Sequence, residues 1–307
     1  MIVTATGLLA LTALAATGLK PGEPPIAAKA RLLTEAIEVA QKDLIDTAPA
    51  YEDHSTWANA WQIETEHYVI RLTHSRHLGL ELGQDLETMF AWFQDLFGTD
   101  WQPPQRLQVH IYPSLAEYNQ FGNSINADEH SSFYGAFYAV QDPARPAAVM
   151  YSANIPRLKM HMTHAVLHQF VGEAFTSQPP YWVSEGLASY FSLFFNYPYL
   201  QREHRRLAES DQFIPLRILA SAAPTNFADR HHDKLMELGA LFNYLLWRRP
   251  DTMTVVDEDG EVVQAPVRDL IRAAVRGNNL GFNPTYLSLM GRLDEIEADF
   301  KAYTFAD

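Results

Sequence analysis

Apolar and polar residues alternate with different periods along this chain, and each change of period marks an element. In "HYVIRL", Tyr68, Ile70 and Leu72 share one face, the two-residue period of a half-buried strand. "RLQVHIY" repeats that pattern through Leu107, Val109 and Ile111. Between them, "LGLELGQDLETMFAWFQDLFG" spaces its apolar residues as a helix does, with Gly98 just past the end. Pro113 and Ser114 open a short helix, "SLAEYNQFG". "SSFYGAFYAV" and "AAVMYSA", joined by the turn-like "QDPARP", predict a pair of strands. From Pro156 onward helical spacing dominates, apart from "MTVVDEDGEVVQ", which alternates around an acidic turn and predicts a hairpin. The closing "YLSLMGRLDEIEADFKAYTF" predicts one amphipathic helix.

This order predicts an α+β fold: a small mixed sheet with helices over residues 57–154, then a mainly helical half over 155–307, with a cleft between them. Ahead of it, residues 21–56 comprise a Pro/Gly-rich linker, Pro21 to Pro25, and a helix from Ile26 to Ala48. Residues 1–20 read as a signal peptide. Gly7 to Leu19 forms the apolar region, and Ala13, Ala15 and Ala16 lie near a cleavage point, although the basic leader is missing. An apolar first helix is the competing reading. Thr and Gly dilute the run too far for a stable membrane span. The expectation is export.

Composition narrows the chemistry. A net charge of −14 over 307 residues argues against nucleic acid or an anionic membrane surface as partner. With no cysteine, disulfides and thiolate metal sites are excluded, so any zinc must be held by His, Asp or Glu. Asp257 and Asp259 before Gly260 faintly suggest a calcium loop, but the other ligand positions are absent and a solvated turn explains them better.

The segment with candidate chemistry is "HMTHAVLHQF", which carries His161, His164 and His168 at i, i+3 and i+7. Residues four apart on a helix lie one turn apart on nearly one face, so His164 and His168 can aim their imidazoles at one point. An open zinc site needs a third protein ligand. "PPYWVSEGLASYF" offers Glu185, seventeen residues after His168. Ser177 suits a cap, and Pro179 and Pro180 suit the start of a helix carrying Glu185 in its first turns. Gly186 would let two helices approach closely, while Trp182, Leu187, Tyr190 and Phe191 would bury the helix elsewhere. A glutamate in so apolar a segment needs a partner, and a metal, an arginine or a lysine would each serve.

"THAVLHQFVGEAF" followed by "PPYWVSEGLASYF" resembles the zinc-binding core of gluzincin metallopeptidases, in particular the peptidase-MA-like bacterial proteins, which join H-E-x-x-H to W-x-x-E-G-x-A. "WQIETEHYVIRL", "VHIYPSLAEYNQFG" and the terminal "RLDEIEADFKAYTF" are similar to other parts of that family, so the likeness spans roughly residues 57–305. The resemblance implies a zincin-like fold, a Zn2+ ion on His164, His168 and Glu185, a peptide or protein ligand, and cleft-bordering strands to which an extended peptide could add. It also exposes two departures. Ala165 stands where the family has its catalytic glutamate, the base that takes a proton from the attacking water and passes it to the leaving amine. Leu235 stands near the place of a tyrosine that would stabilise the oxyanion.

The expected function is therefore that of a zinc-binding metallopeptidase homologue with absent or strongly reduced hydrolysis. The alternatives are an active peptidase using another base, such as His161, and a metal-free interaction domain on the same fold. His161 has a competing reading as an exposed or satisfied histidine. Ser189 could hydrogen-bond a ligand, Glu173 should face solvent, and His231 and His232, in the polar "ADRHHDK", read as solvated.

Overall fold

A computed structural model of the chain describes residues 53–124, 136–139, 146–151, 154–175, 179–193, 197–227, 229–248, 253–256, 262–265, 267–275 and 284–303. They all belong to one unit, Asp53–Tyr303. The signal peptide, the linker and the helix expected up to Ala48 lie outside the described residues, as do Ser177 and the acidic turn at Asp257–Gly260.

Five strands form one mixed sheet: β1 (Trp61–Glu64), β2 (Tyr68–Leu72), β3 (Leu107–Tyr112), β4 (Ala136–Ala139) and β5 (Ala147–Tyr151), in the order β1-β2-β3-β5-β4. β2, β3 and β5 run parallel, and β1 and β4 pair antiparallel on either side. The alternation read from the sequence holds. Tyr68, Ile70 and Leu72 are fully buried in β2, as are Val109 and Ile111 in β3. β4 and β5 pair as expected, with Phe137 opposite Val149.

Parallel neighbours need a crossover, and α1 (Arg76–Phe97) supplies the one between β2 and β3. Ser75 caps its start by accepting from the Leu78 amide. Gly98 ends it in the left-handed region at φ 60°, and the Thr99 amide closes back onto the Gln94 carbonyl. A short helix, α2 (Leu115–Ser124), follows β3, with Ser114 capping through the Glu117 amide.

The next helix, α3 (Ile155–Ala174), carries the three histidines. Asn154 accepts from the Arg157 amide at its N-terminus, with Pro156 in the first turn. This helix packs on β5 and β4 and touches α1. Phe170 meets Phe90, Phe93 and Phe97 of α1 at ring distances of 5.2, 5.4 and 5.8 Å. Lys159 pairs with Glu81 and Asp85 of α1 at 2.5 and 2.9 Å, and Gln169 donates to the Gln108 carbonyl in β3. The helix is thus tied to α1 near its start and to β3 near its end.

Beyond it come α4 (Tyr181–Leu193), α5 (Tyr197–Ala208), two short helices α6 (Leu216–Ala220) and α7 (Pro224–Phe227), and α8 (His231–Asn243). α8 packs against α4, and Gly186 permits the close approach. A Cβ there would sit 2.4 Å from the Phe242 ring. Strands β6 (Met253–Val256) and β7 (Val262–Ala265) make the expected hairpin. α9 (Val267–Val275) precedes the closing segment, where one correction is needed. The single terminal helix expected there is two, α10 (Pro284–Gly291) and α11 (Leu293–Lys301), divided at Gly291–Arg292. Leu289, Leu293, Ile296 and Phe300 are all buried, so the apolar rhythm runs across the break and conceals it. No described helix is long and apolar enough to cross a membrane.

Candidate metal centre

His164 and His168 sit in the middle of α3, and Glu185 in the second turn of α4. Pro180 begins α4, its carbonyl accepting from the Val183 and Ser184 amides. Trp182, Val183 and Leu187 turn inward and are at most 2% exposed. Burial of that apolar face leaves Glu185 aimed at α3.

The three side chains converge. His164 Nε2 lies 3.2 Å from His168 Nε2, and the two nitrogens lie 3.4 Å from Glu185 Oε2 and Oε1 respectively. Three donors at about 2.0–2.1 Å from a tetrahedral zinc would be separated by about 3.3 Å. The side chains are 20%, 22% and 12% exposed, open enough for a cation to enter and covered enough to be poorly hydrated. Burial pushes the His168 imidazole down to about 4, with Glu185 partly opposing the shift. Burial alone would raise Glu185, but His168 and His164 outweigh it and hold the carboxyl below its ordinary value. Near neutral pH the site therefore offers neutral His168 and an ionised carboxylate, the protonation states a metal requires. Donor type, protonation and spacing all fit a divalent cation.

His168 is also oriented from behind. Ser184 Oγ lies 3.1 Å from His168 Nδ1, leaving Nε2 to face the cluster. In a metal ligand of this kind Nδ1 carries the proton and donates to the hydroxyl. The sequence offers Ser189 as a hydroxyl that could hydrogen-bond a ligand. Ser189 Oγ is buried and makes no hydrogen bond to the trio. The serine that does so precedes the ligand by one residue, which was the available signal.

The remaining candidates divide. Ala165 is fully buried and contributes no polar atom. His161 hydrogen-bonds to the Tyr151 backbone, and its Nδ1 is buried without a hydrogen-bond partner. It stands outside the set of ligand atoms lying within 4.8 Å of one another. Burial pushes its ring down to about 4. Glu173 is exposed, as expected, and Leu235 is half-buried on α8.

His231 requires a correction. It is no solvated loop residue. It opens α8, its ring packed edge-to-face on Phe227 at 4.5 Å. Burial pushes it down to about 4, and it interacts electrostatically with Glu185 and His164. The polar "ADRHHDK" hid this because the covering group, Phe227, lies on the preceding helix. His232 is exposed and meets the Tyr199 hydroxyl at 3.1 Å.

No family model, curated protein or solved structure matches the chain.

Proposed function

We propose that this chain is a gluzincin-like zinc protein, exported and built to bind a peptide or protein, whose peptide hydrolysis is absent or strongly reduced. One observation carries the reading. Two imidazole nitrogens and a carboxylate meet at tetrahedral-edge spacing, while the residue next to the first ligand is Ala165. The mixed sheet followed by helices suits a zincin-like arrangement, in which β4, at the sheet edge and packed against α3, would border a ligand cleft.

His164, His168 and Glu185 would hold the ion, and Ser184 would keep His168 in its ligating orientation. Zinc, when bound, supplies Lewis-acid polarisation of a carbonyl oxygen. The chain's own residues omit the complementary part. The methyl group of Ala165 can neither take a proton from water nor deliver one to a leaving amine, and losing a positioned general base costs roughly 10²–10⁴ in rate. His161 is held by the Tyr151 backbone, and its low basicity makes it a weak replacement.

The test compares zinc-loaded wild type with Ala165→Glu on a quenched-fluorescence peptide library, with thermal stability read in parallel. The expected result is no turnover above a chelated control for wild type and measurable turnover for the variant. Efficient, chelator-sensitive cleavage by wild type would overturn the reading.

A further inference from the structure

His204 of α5 and Glu237 of α8 take no part in the candidate metal centre, yet they form an ionisable pair cut off from water, 1% and 0% exposed. The imidazole stands between two oxygens. Nδ1 lies 3.2 Å from Glu237 Oε2, and Nε2 lies 3.1 Å from the Phe300 carbonyl in the last turn of α11. The Phe300 ring, fully buried, packs against the imidazole with centroids 4.6 Å apart.

A peptide carbonyl only accepts, so Nε2 carries a hydrogen. A neutral imidazole has no second N–H, which would leave the Nδ1 lone pair facing a carboxylate lone pair with no water between them. A second proton between Nδ1 and Oε2, on either atom, turns that opposition into a hydrogen bond. The arrangement thus holds one proton more than a neutral ring beside a carboxylate. Carbonyls at a helix C-terminus carry partial negative charge and favour a cationic donor, and α11 presents one to His204. Burial raises Glu237 above its ordinary value, with its hydrogen bond to His204 opposing, so the carboxyl can share the proton. Asp233 and Arg206 also act on Glu237, in opposite directions, and pair with each other at 2.8 Å. From α11, Asp299 accepts from the Tyr244 hydroxyl at 2.8 Å and Lys301 lies over the Phe213 ring. Just beyond that helix, Tyr303, its ring 6.5 Å from that of His204, is raised by burial and keeps its proton.

We propose that this pair is a proton-dependent latch: the proton it shares docks the C-terminal helix α11 onto α5 and α8, and losing it as pH rises loosens that helix. In an unfolded chain a histidine releases its proton at about 6.5 and a glutamate at about 4.3. Between those values the pair holds one proton in both states. Above them the unfolded chain has released it and the folded chain has not, so stability falls as pH rises, by up to about tenfold in the unfolding constant per pH unit. His161, His168 and His231, pushed down to about 4 by burial, are neutral in both states there and add no slope. Other ties of α11 do not depend on this proton. Asp294 pairs with Arg217 at 2.7 Å, and Glu297 accepts from the Leu216 amide at 2.8 Å, both on α6.

The experiment is urea unfolding of the full chain at pH 7, 8 and 9, with hydrogen-exchange protection factors read for the amides of α11 and α3. In wild type the unfolding constant is expected to rise by up to about tenfold per pH unit, with protection of α11 lost before that of α3. Glu237→Gln should flatten the profile and keep α11 protected at pH 9, because its amide can donate to Nδ1 while Nε2 donates to Phe300. Should that variant not fold, Glu237→Leu, of similar size and with no proton to share, is expected to give the same flat profile. A wild-type unfolding constant and α11 protection that stay constant from pH 7 to 9 would overturn the inference. So would a wild-type slope that the folded position-237 variant retains.

Discussion

Among the described residues, histidine meets glutamate at two places in the helical half, and the hydrogen bonding differs. At His204 both ring nitrogens have protein partners: Nδ1 lies 3.2 Å from Glu237 Oε2, and Nε2 lies 3.1 Å from the Phe300 carbonyl. The pair is 1% and 0% exposed, and burial raises Glu237 with His204 opposing. At the candidate centre two Nε2 atoms face each other and a shared carboxylate, and Ser184 engages only the rear nitrogen of His168. In the sheet half, Glu66, His67 and Glu87 also bring ligand atoms within 4.8 Å of one another. There Glu87 and Gln102 occupy both nitrogens of His67, at 2.6 and 2.8 Å. Proximity of His and Glu is thus shared by all three clusters. What sets one apart is that its ring nitrogens converge on a common point, whereas in the other two they face acceptor oxygens supplied by the protein.

Deleting a ligand breaks this contrast most sharply. His164→Ala should weaken zinc binding by on the order of 10³-fold or more, beyond the 10–100-fold typical of supporting residues, whereas His67→Ala should leave zinc affinity unchanged; competition with a fluorescent chelator reads both. In the buried pair, His204→Ala strands the Glu237 carboxyl, whose Oε1 already lacks a hydrogen-bond partner, and should cost about 3–5 kcal/mol by urea unfolding without altering zinc content.

Acidification probes the centre without mutation. His168 titrates at about 4 in the folded chain against 6.5 ordinarily, so between these values the unfolded chain binds a proton that the folded chain refuses. Stability of the metal-free protein should therefore fall as pH drops from about 6.5 to about 4, by roughly 3 kcal/mol from His168 alone. His161 and His231, lowered for the same reason, add in the same direction. A flat unfolding free energy across that window would show that these rings are hydrated. The smallest expected effect is that of Ser184→Ala, a 10–100-fold loss of zinc affinity with the fold intact.

Local rules made much of this architecture readable. β2 and β3 announce themselves by alternation, α1 ends where Gly98 adopts φ 60°, and the hairpin flanks its acidic turn. The trio was readable as well, because one helical turn links His164 to His168 and Pro179–Pro180 fixes where the helix of Glu185 starts. The features that escaped depend on how neighbouring elements turn and pack. Phe227 lies only four residues before His231, but nothing in the polar "ADRHHDK" reveals that the ring covers it or that α8 leans on α4. Ser184 and Ser189 are both small hydroxyls close to Glu185, and only the rotation of α4 chooses between them. The division at Gly291 escaped because burial keeps its period on both sides.

The central claim is that His164, His168 and Glu185 form one metal site. X-ray absorption at the zinc edge on the loaded wild-type chain, with stoichiometry from elemental analysis, tests it most directly. The account predicts one zinc per chain in a first shell of nitrogen and oxygen at about 2.0–2.1 Å, including two imidazoles. Zinc uptake no greater than that of His164→Ala, or a shell without imidazole scattering, would contradict it.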